Sequence, residues 1–136
     1  MRSRLWILIW VLCILFPMAF LSRAWPAFGE VFQAVFAPEW MHILMHAALY
    51  GGLGFLLVRQ LHAVRGAALA SALAVLLVVA VLHETLQVVS AGAWPGWREE
   101  LKDLLVDLLG GCAGIGAGWL WASRSRPDRG PRESGA

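Results

Sequence analysis

Charge is what this chain has least of. Only 15% of its 136 residues are charged while 60% are hydrophobic, and a soluble domain of this size could not bury apolar runs of such length. Cysteine is nearly absent. Cys13 and Cys112 are the only two and both fall inside apolar runs, so no disulfide framework is expected and the thiols read as small apolar fillers. No Ser or Cys stands beside a candidate base at the polar positions described below, which argues against a nucleophilic triad. The net charge of +2 comes without an aromatic-basic reader pattern, so no nucleic-acid partner is expected.

What remains is lipid-facing material. At ~1.5 Å rise per residue across a ~30 Å hydrocarbon core, four stretches qualify as spans: Leu5 to Leu21, Trp40 to Val58, Gly66 to Val89 and Leu101 to Trp121. The first is the shortest, and Pro17 is expected to kink it. A cleaved secretory signal is the rival reading of that stretch, because Arg2 and Arg4 precede it and Ser22-Arg23-Ala24 resembles a cleavage site. Its length and its bulky Trp6, Trp10 and Phe20 fit a span better. Between the first two stretches Phe28, Val31, Phe32, Val35 and Phe36 recur at helical spacing, bracketed by Pro26 and Pro38, as in a short helix lying on a membrane surface or packing on the bundle. The expected fold is therefore an all-α membrane protein: four transmembrane helices in a compact bundle over residues 1–122, a short amphipathic surface helix between the first and second, and a disordered basic tail over residues 123–136.

Orientation follows from basic residues, which accumulate on the cytoplasmic side. With both termini inside, eight of the 11 Lys and Arg residues are cytoplasmic, leaving Arg23, Arg98 and Lys102 outside. Tryptophan agrees: Trp25, Trp40, Trp94 and Trp97 fall at outer ends, and Trp6, Trp10, Trp119 and Trp121 at or near inner ends. The expected location is a membrane, crossed several times, with membrane lipids as partners.

Against this background the ionisable residues inside the spans carry the information. Counting inward from the outer ends, His46, Glu84 and Asp107 each lie ~8 to 9 Å deep, level with one another. An acidic side chain facing lipid at mid-bilayer costs ~2.5 to 3.5 kcal/mol, so these groups are expected to face inward and to meet. Helical phase permits it: His42, His46 and Tyr50 form one stripe, Glu84 and Gln87 share a face with His83 beside it, and Asp103 and Asp107 form a third. Tyr50 is placed to donate to a carboxylate, and Gln87 to bridge a donor and an acceptor. Gly51, Gly52 and Gly54, with the small-xxx-small ridge Gly110, Gly114 and Gly118, allow the helices to approach closely.

In order along the chain, His46 and Tyr50, then Glu84-x-x-Gln87, then Pro95-Gly96-Trp97-Arg98, then Asp103-x-x-x-Asp107-x-x-Gly110 resemble the VanZ-like family of small bacterial membrane proteins over residues 42–118. The chain departs from the family pattern at Asp107, where Asn is usual, at Trp97, which interrupts Pro-Gly-Arg, and in a longer loop after Gln87. The resemblance implies a polytopic protein of the bacterial cytoplasmic membrane, from a family whose founding member is linked to low-level resistance to the glycopeptide antibiotic teicoplanin, with no settled biochemical activity.

Several chemistries compete for the polar positions. His83-Glu84-Thr85-Leu86-Gln87 is one residue from the His-Glu-x-x-His zinc helix, but Gln87 replaces the second ligand. His42 and His46 with Asp107 are an alternative ligand set, yet the expectation is no metal and no cofactor. Acid-base chemistry through His46, Glu84 and Asp107 is a second possibility. A hydrogen-bonded knot that only pins helices together is a third. The reading favoured is an outward-facing polar cleft formed by His46, Tyr50, Glu84, Gln87, Asp103 and Asp107, with Arg98, His42 and His83 as ligand-binding residues. It would hold the polar head group of an envelope lipid or lipid-linked cell-wall precursor. The alternative is a noncatalytic accessory subunit of a membrane complex. A small transporter ranks third, because the inner halves of the spans offer almost no polar residues.

Overall fold

The computed structural model describes residues 2–16, 18–60, 66–92 and 94–124. All regular structure among them is helical: α1 (Arg2–Ile14), α2 (Met18–Ala24), α3 (Pro26–Phe36), α4 (Glu39–Gln60), α5 (Gly66–Ala91) and α6 (Trp97–Arg124). Three of these, α4, α5 and α6, at 22, 26 and 28 residues, are long and apolar enough to cross a membrane, with mean hydropathies of 1.6, 2.3 and 1.5. This is the pattern of a membrane protein.

The first apolar stretch departs from expectation. Instead of one kinked span it forms two pieces, with α1 ending at Ile14 and α2 starting at Met18. At ~1.5 Å per residue, the 13-residue α1 reaches only ~20 Å, short of a hydrocarbon core. Pro17, to which the kink was assigned, lies outside the described residues, as do Arg65 and positions 125–136 of the expected basic tail. Helix α6 itself runs through Ser123 and Arg124, two residues into that tail.

Local chemistry accounts for the other boundaries. Pro26 opens α3 behind an extended Trp25, where a missing N–H costs nothing. Val88 O accepts the N–H of Gly92, whose φ of +66° closes α5 in a left-handed conformation suited to glycine. Gly96, at φ +106°, turns the chain into α6, whose first turn carries Glu99 and Glu100, favourable at a helix N-terminus. Arg23, in the last turn of α2, donates to Ser90 O at 2.7 Å and so satisfies a carbonyl at the C-terminus of α5.

Helices α4 and α6 run parallel and form the tightest pair. A Cβ added to Gly110 would stand 2.6 Å from Ala47 O, and one added to Gly118 3.1 Å from Phe55 O. Between those levels Gly114 abuts the backbone of Gly51, and Gly54 abuts that of Gly111. These close approaches are what the small-residue ridge predicts. Gly52 has a different role, because it lies under the indole of Trp10. That indole donates to Leu49 O at 2.7 Å. Trp10 thus fastens α1 to the middle of α4. Helix α5 runs antiparallel to this pair and packs Leu76 against Gly111. Cys13 and Cys112 are free and exposed on helix surfaces, not packed inside as fillers.

Candidate functional site

The parallel register of α4 and α6 stacks three polar pairs in a ladder. At its end, Lys102 Nζ donates to Glu39 Oε1 at 3.1 Å and to Glu99. Next inward, His42 Nε2 lies 3.3 Å from Asp103 Oδ2, with side chains 31% and 15% exposed. One helical turn deeper, His46 Nδ1 lies 2.8 Å from Asp107 Oδ1, and both side chains are fully buried. The two imidazoles lie with centroids 4.3 Å apart and planes tilted by 40°. The ladder ends where the glycine seam begins, at Ala47 and Gly110.

Helix α5 closes the inner rung from the side. Gln87 Nε2 sits 3.5 Å from His46 Nε2 and 3.1 Å from His83 Nε2, and Tyr50 OH lies 3.3 Å from His83 Nδ1. With its amide nitrogen so placed, Gln87 donates to both Nε2 atoms. His46 Nδ1–H then donates to Asp107, and His83 Nδ1–H donates to the Tyr50 oxygen. Turning the amide would make its oxygen accept from two Nε2–H groups and leave both Nδ1 atoms with a lone pair, since Gln amide orientation and His tautomers are assigned from the network. Gln87 thus contacts both buried imidazoles at once, while the Asp107 acceptor at 2.8 Å holds the proton on His46 Nδ1.

Glu84, also on α5, approaches the ring nitrogen that Gln87 does not, with Oε1 3.9 Å from His46 Nδ1. The carboxylates are incompletely satisfied: Glu84 Oε1, Asp103 Oδ1 and Asp107 Oδ2 are buried without a hydrogen-bond partner. No Lys or Arg takes part in the hydrogen bonds of the inner rung. His46, His83, Glu84 and Asp107 each offer one potential metal-ligand atom, all within 4.8 Å of one another.

Two cavities flank the cluster. One, of about 220 Å³, is lined by polar groups that include His42, His83 and Gln87 and by apolar ones that include Leu15, Phe32 and Phe36. It is framed by the break between α1 and α2, by α3, and by α4 and α5. The phenyl rings of Phe28, Phe32 and Phe36 line up along α3 at centroid separations of 5.9 and 4.6 Å, while Val31 and Val35 are exposed. The second cavity, of about 360 Å³, is an apolar groove between α5 and α6 with Glu84 in its wall. A polar mouth at Glu39, Glu99, Lys102 and Asp103 shares His42 and Phe36 with the first cavity.

His42, His46, Tyr50, His83, Glu84, Gln87, Asp103 and Asp107 thus come together as one connected group. Tyr50 lies 3.3 Å from His83 Nδ1 and also faces the Asp107 carboxylate, the kind of partner to which the sequence pointed. His83, taken as a flanking residue, is central because the i, i+4 relation to Gln87 puts both on the face toward α4. Arg98 is exposed on the first turn of α6 and takes part in none of the hydrogen bonds that join this group. Lys102 was overlooked in the sequence beyond its contribution to topology. The signal was present: Glu39 and Lys102 precede the two spaced pairs at the heads of α4 and α6. Comparison with protein-family models, with curated proteins and with solved structures yields no match to this chain.

Proposed function

We propose that this protein is a VanZ-like membrane protein that binds an amphiphilic envelope molecule, a lipid or lipid-linked cell-wall precursor, with its head group in an outward-facing polar cleft. The observation that carries the reading is the cavity with a mixed polar and apolar lining beside the buried histidine–carboxylate group. About 220 Å³ suits a head group or the first part of a chain, since whole-ligand pockets run ~300 to 1,000 Å³. The rest of the molecule would lie along α3, whose exposed Val31 and Val35 face the surroundings. His42, His83 and Gln87 would supply hydrogen bonds. Arg98 is not assigned a place in the cleft, although an anionic group approaching the mouth would meet Lys102. The positive-inside bias supports the outward orientation, with both termini cytoplasmic, and the family resemblance connects the cleft to glycopeptide resistance.

The test is lipid retention. Protein extracted in mild detergent should carry a saturable amphiphile, detected by mass spectrometry of the intact complex. Met45→Trp, which fills the cavity from α4, should release it while leaving the fold intact. A folded Met45→Trp protein with unchanged lipid content would refute the cleft. The hydrogen bonds from Gln87 to imidazoles on α4 and α5 favour a second reading, a scaffolding knot in an accessory subunit. That reading predicts loss of folded protein in both Glu84→Gln and Asp107→Asn.

A further inference from the structure

The inner rung brings two carboxylates together with no Lys or Arg in its hydrogen bonds. Asp107 and Glu84 are two carboxylates at a level where His46 and Asp107 are fully buried and His83 and Glu84 are 7% exposed. One oxygen of each carboxylate is buried without a partner. Leaving such atoms unmatched is costly in a low-dielectric interior. A divalent cation removes the deficit, because two carboxylates and two neutral imidazoles balance its charge and supply four donors.

We propose that His46, His83, Glu84 and Asp107 form a binding site for a first-row divalent transition cation of the zinc class. The inference goes beyond the cleft reading and does not depend on what occupies the cleft. Its first support is geometric: one ligand atom from each of the four residues lies within 4.8 Å of the other three, a spread that modest side-chain adjustment contracts to metal–ligand distances of ~2.0 to 2.2 Å. Its second support is the pair of unmatched oxygens, Glu84 Oε1 and Asp107 Oδ2. The third is the position of Gln87 beside both Nε2 atoms. With its carbonyl oxygen toward them it would accept both Nε2–H groups and present both Nδ1 lone pairs for coordination, as outer-shell acceptors do at metal-bound histidines. Mixed nitrogen and oxygen donors favour zinc, iron, manganese or cobalt over the all-oxygen preference of magnesium and calcium. The sequence argued against a metal because Gln87 takes the place of the second histidine of a zinc helix. The fold supplies that second imidazole from α4, as His46.

The experiment uses the full chain, purified in detergent through a tag without histidine and without chelators. Metal analysis of the protein as isolated should find one equivalent of a transition metal per chain. Metal-stripped protein should take up one equivalent of Co²⁺ with the visible absorption of a nitrogen- and oxygen-ligated ion, and Zn²⁺ should raise its unfolding temperature. Asp107→Asn and Glu84→Gln should each lower Co²⁺ affinity at least tenfold, whereas Cys112→Ser should retain it. Absence of a Co²⁺ spectrum and of a zinc-dependent shift in the wild-type protein overturns the proposal, without recourse to any variant. Co²⁺ uptake that survives Asp107→Asn and Glu84→Gln combined overturns it equally.

Discussion

Helices α4 and α6 meet along one continuous seam, yet its two halves are held by opposite chemistry. From Ala47 and Gly110 to Phe55 and Gly118 the contact is backbone against backbone, with no room for a side chain at Gly54 or Gly114. From Glu39 and Lys102 to His46 and Asp107 it consists of polar side chains. The first half makes the second possible. Aspartate is short, and it reaches an imidazole on the neighbouring helix at 2.8 Å only because the glycines bring the two axes close. Packing in one half thus sets the precision of the polar half.

The largest effect should come from forcing the seam apart. Gly114→Val places a branched side chain into the backbone of Gly51, and the expected cost, on the order of 5 kcal/mol, would remove most of the stability of an ordinary domain. Size-exclusion profiles should show no monodisperse species. Gly116, two residues on, has open space where its Cβ would be. Gly116→Ala should therefore be neutral or slightly stabilising, by up to ~1 kcal/mol from helix propensity. Equal damage from both would mean that glycine flexibility, not close approach, explains the ridge.

Next in size is the inner rung. Asp107→Leu leaves a fully buried His46 Nδ1–H without its acceptor and should cost ~3 to 5 kcal/mol, the usual penalty for breaking a buried pair. Asp107→Asn keeps an acceptor of the same shape and should fold within ~1 kcal/mol of the parent. Function should nevertheless fall in Asp107→Asn, because the negative charge is gone. Thermal unfolding and a resistance or lipid-retention assay on the same pair of variants separate the two effects. A large stability loss in Asp107→Asn would assign the carboxylate to scaffolding.

How far the sequence led is visible in these same residues. Counting depth from the span ends put His46, Glu84 and Asp107 level with one another, and the structure joins them. The reason is general: helix rise is fixed, and lipid enforces an inward direction on buried charge. The glycine ridge was legible for the same reason. What could not be read was anything set by a particular packing partner. Nothing in the sequence pairs Trp10 with Leu49 O; His83 looked peripheral but bridges Tyr50 and Gln87. The first apolar stretch passed as one span on composition alone, although its helix breaks after Ile14. Arg98 was placed by analogy with a motif, and the inserted Trp97 precedes it on an exposed first turn of α6.

The outer rungs should show how quickly the polar half loses energetic weight toward water. His42 and Asp103 are partly exposed at 3.3 Å, so His42→Gln should cost no more than ~1 kcal/mol. Lys102 lies further out, between Glu39 and Glu99 with side chains 73% and 54% exposed. Solvent and salt screen such contacts strongly, and Lys102→Met should change stability by less than ~0.5 kcal/mol. Its consequence should lie in association. If the mouth draws in an anionic head group, removing the cation should slow capture at low salt, and the difference from the parent should vanish as ionic strength rises. A Lys102→Met protein whose capture rate equals the parent's at every salt concentration would mean that this end of the ladder is only a helix-end contact. The functional half of the seam would then begin at His42 and Asp103.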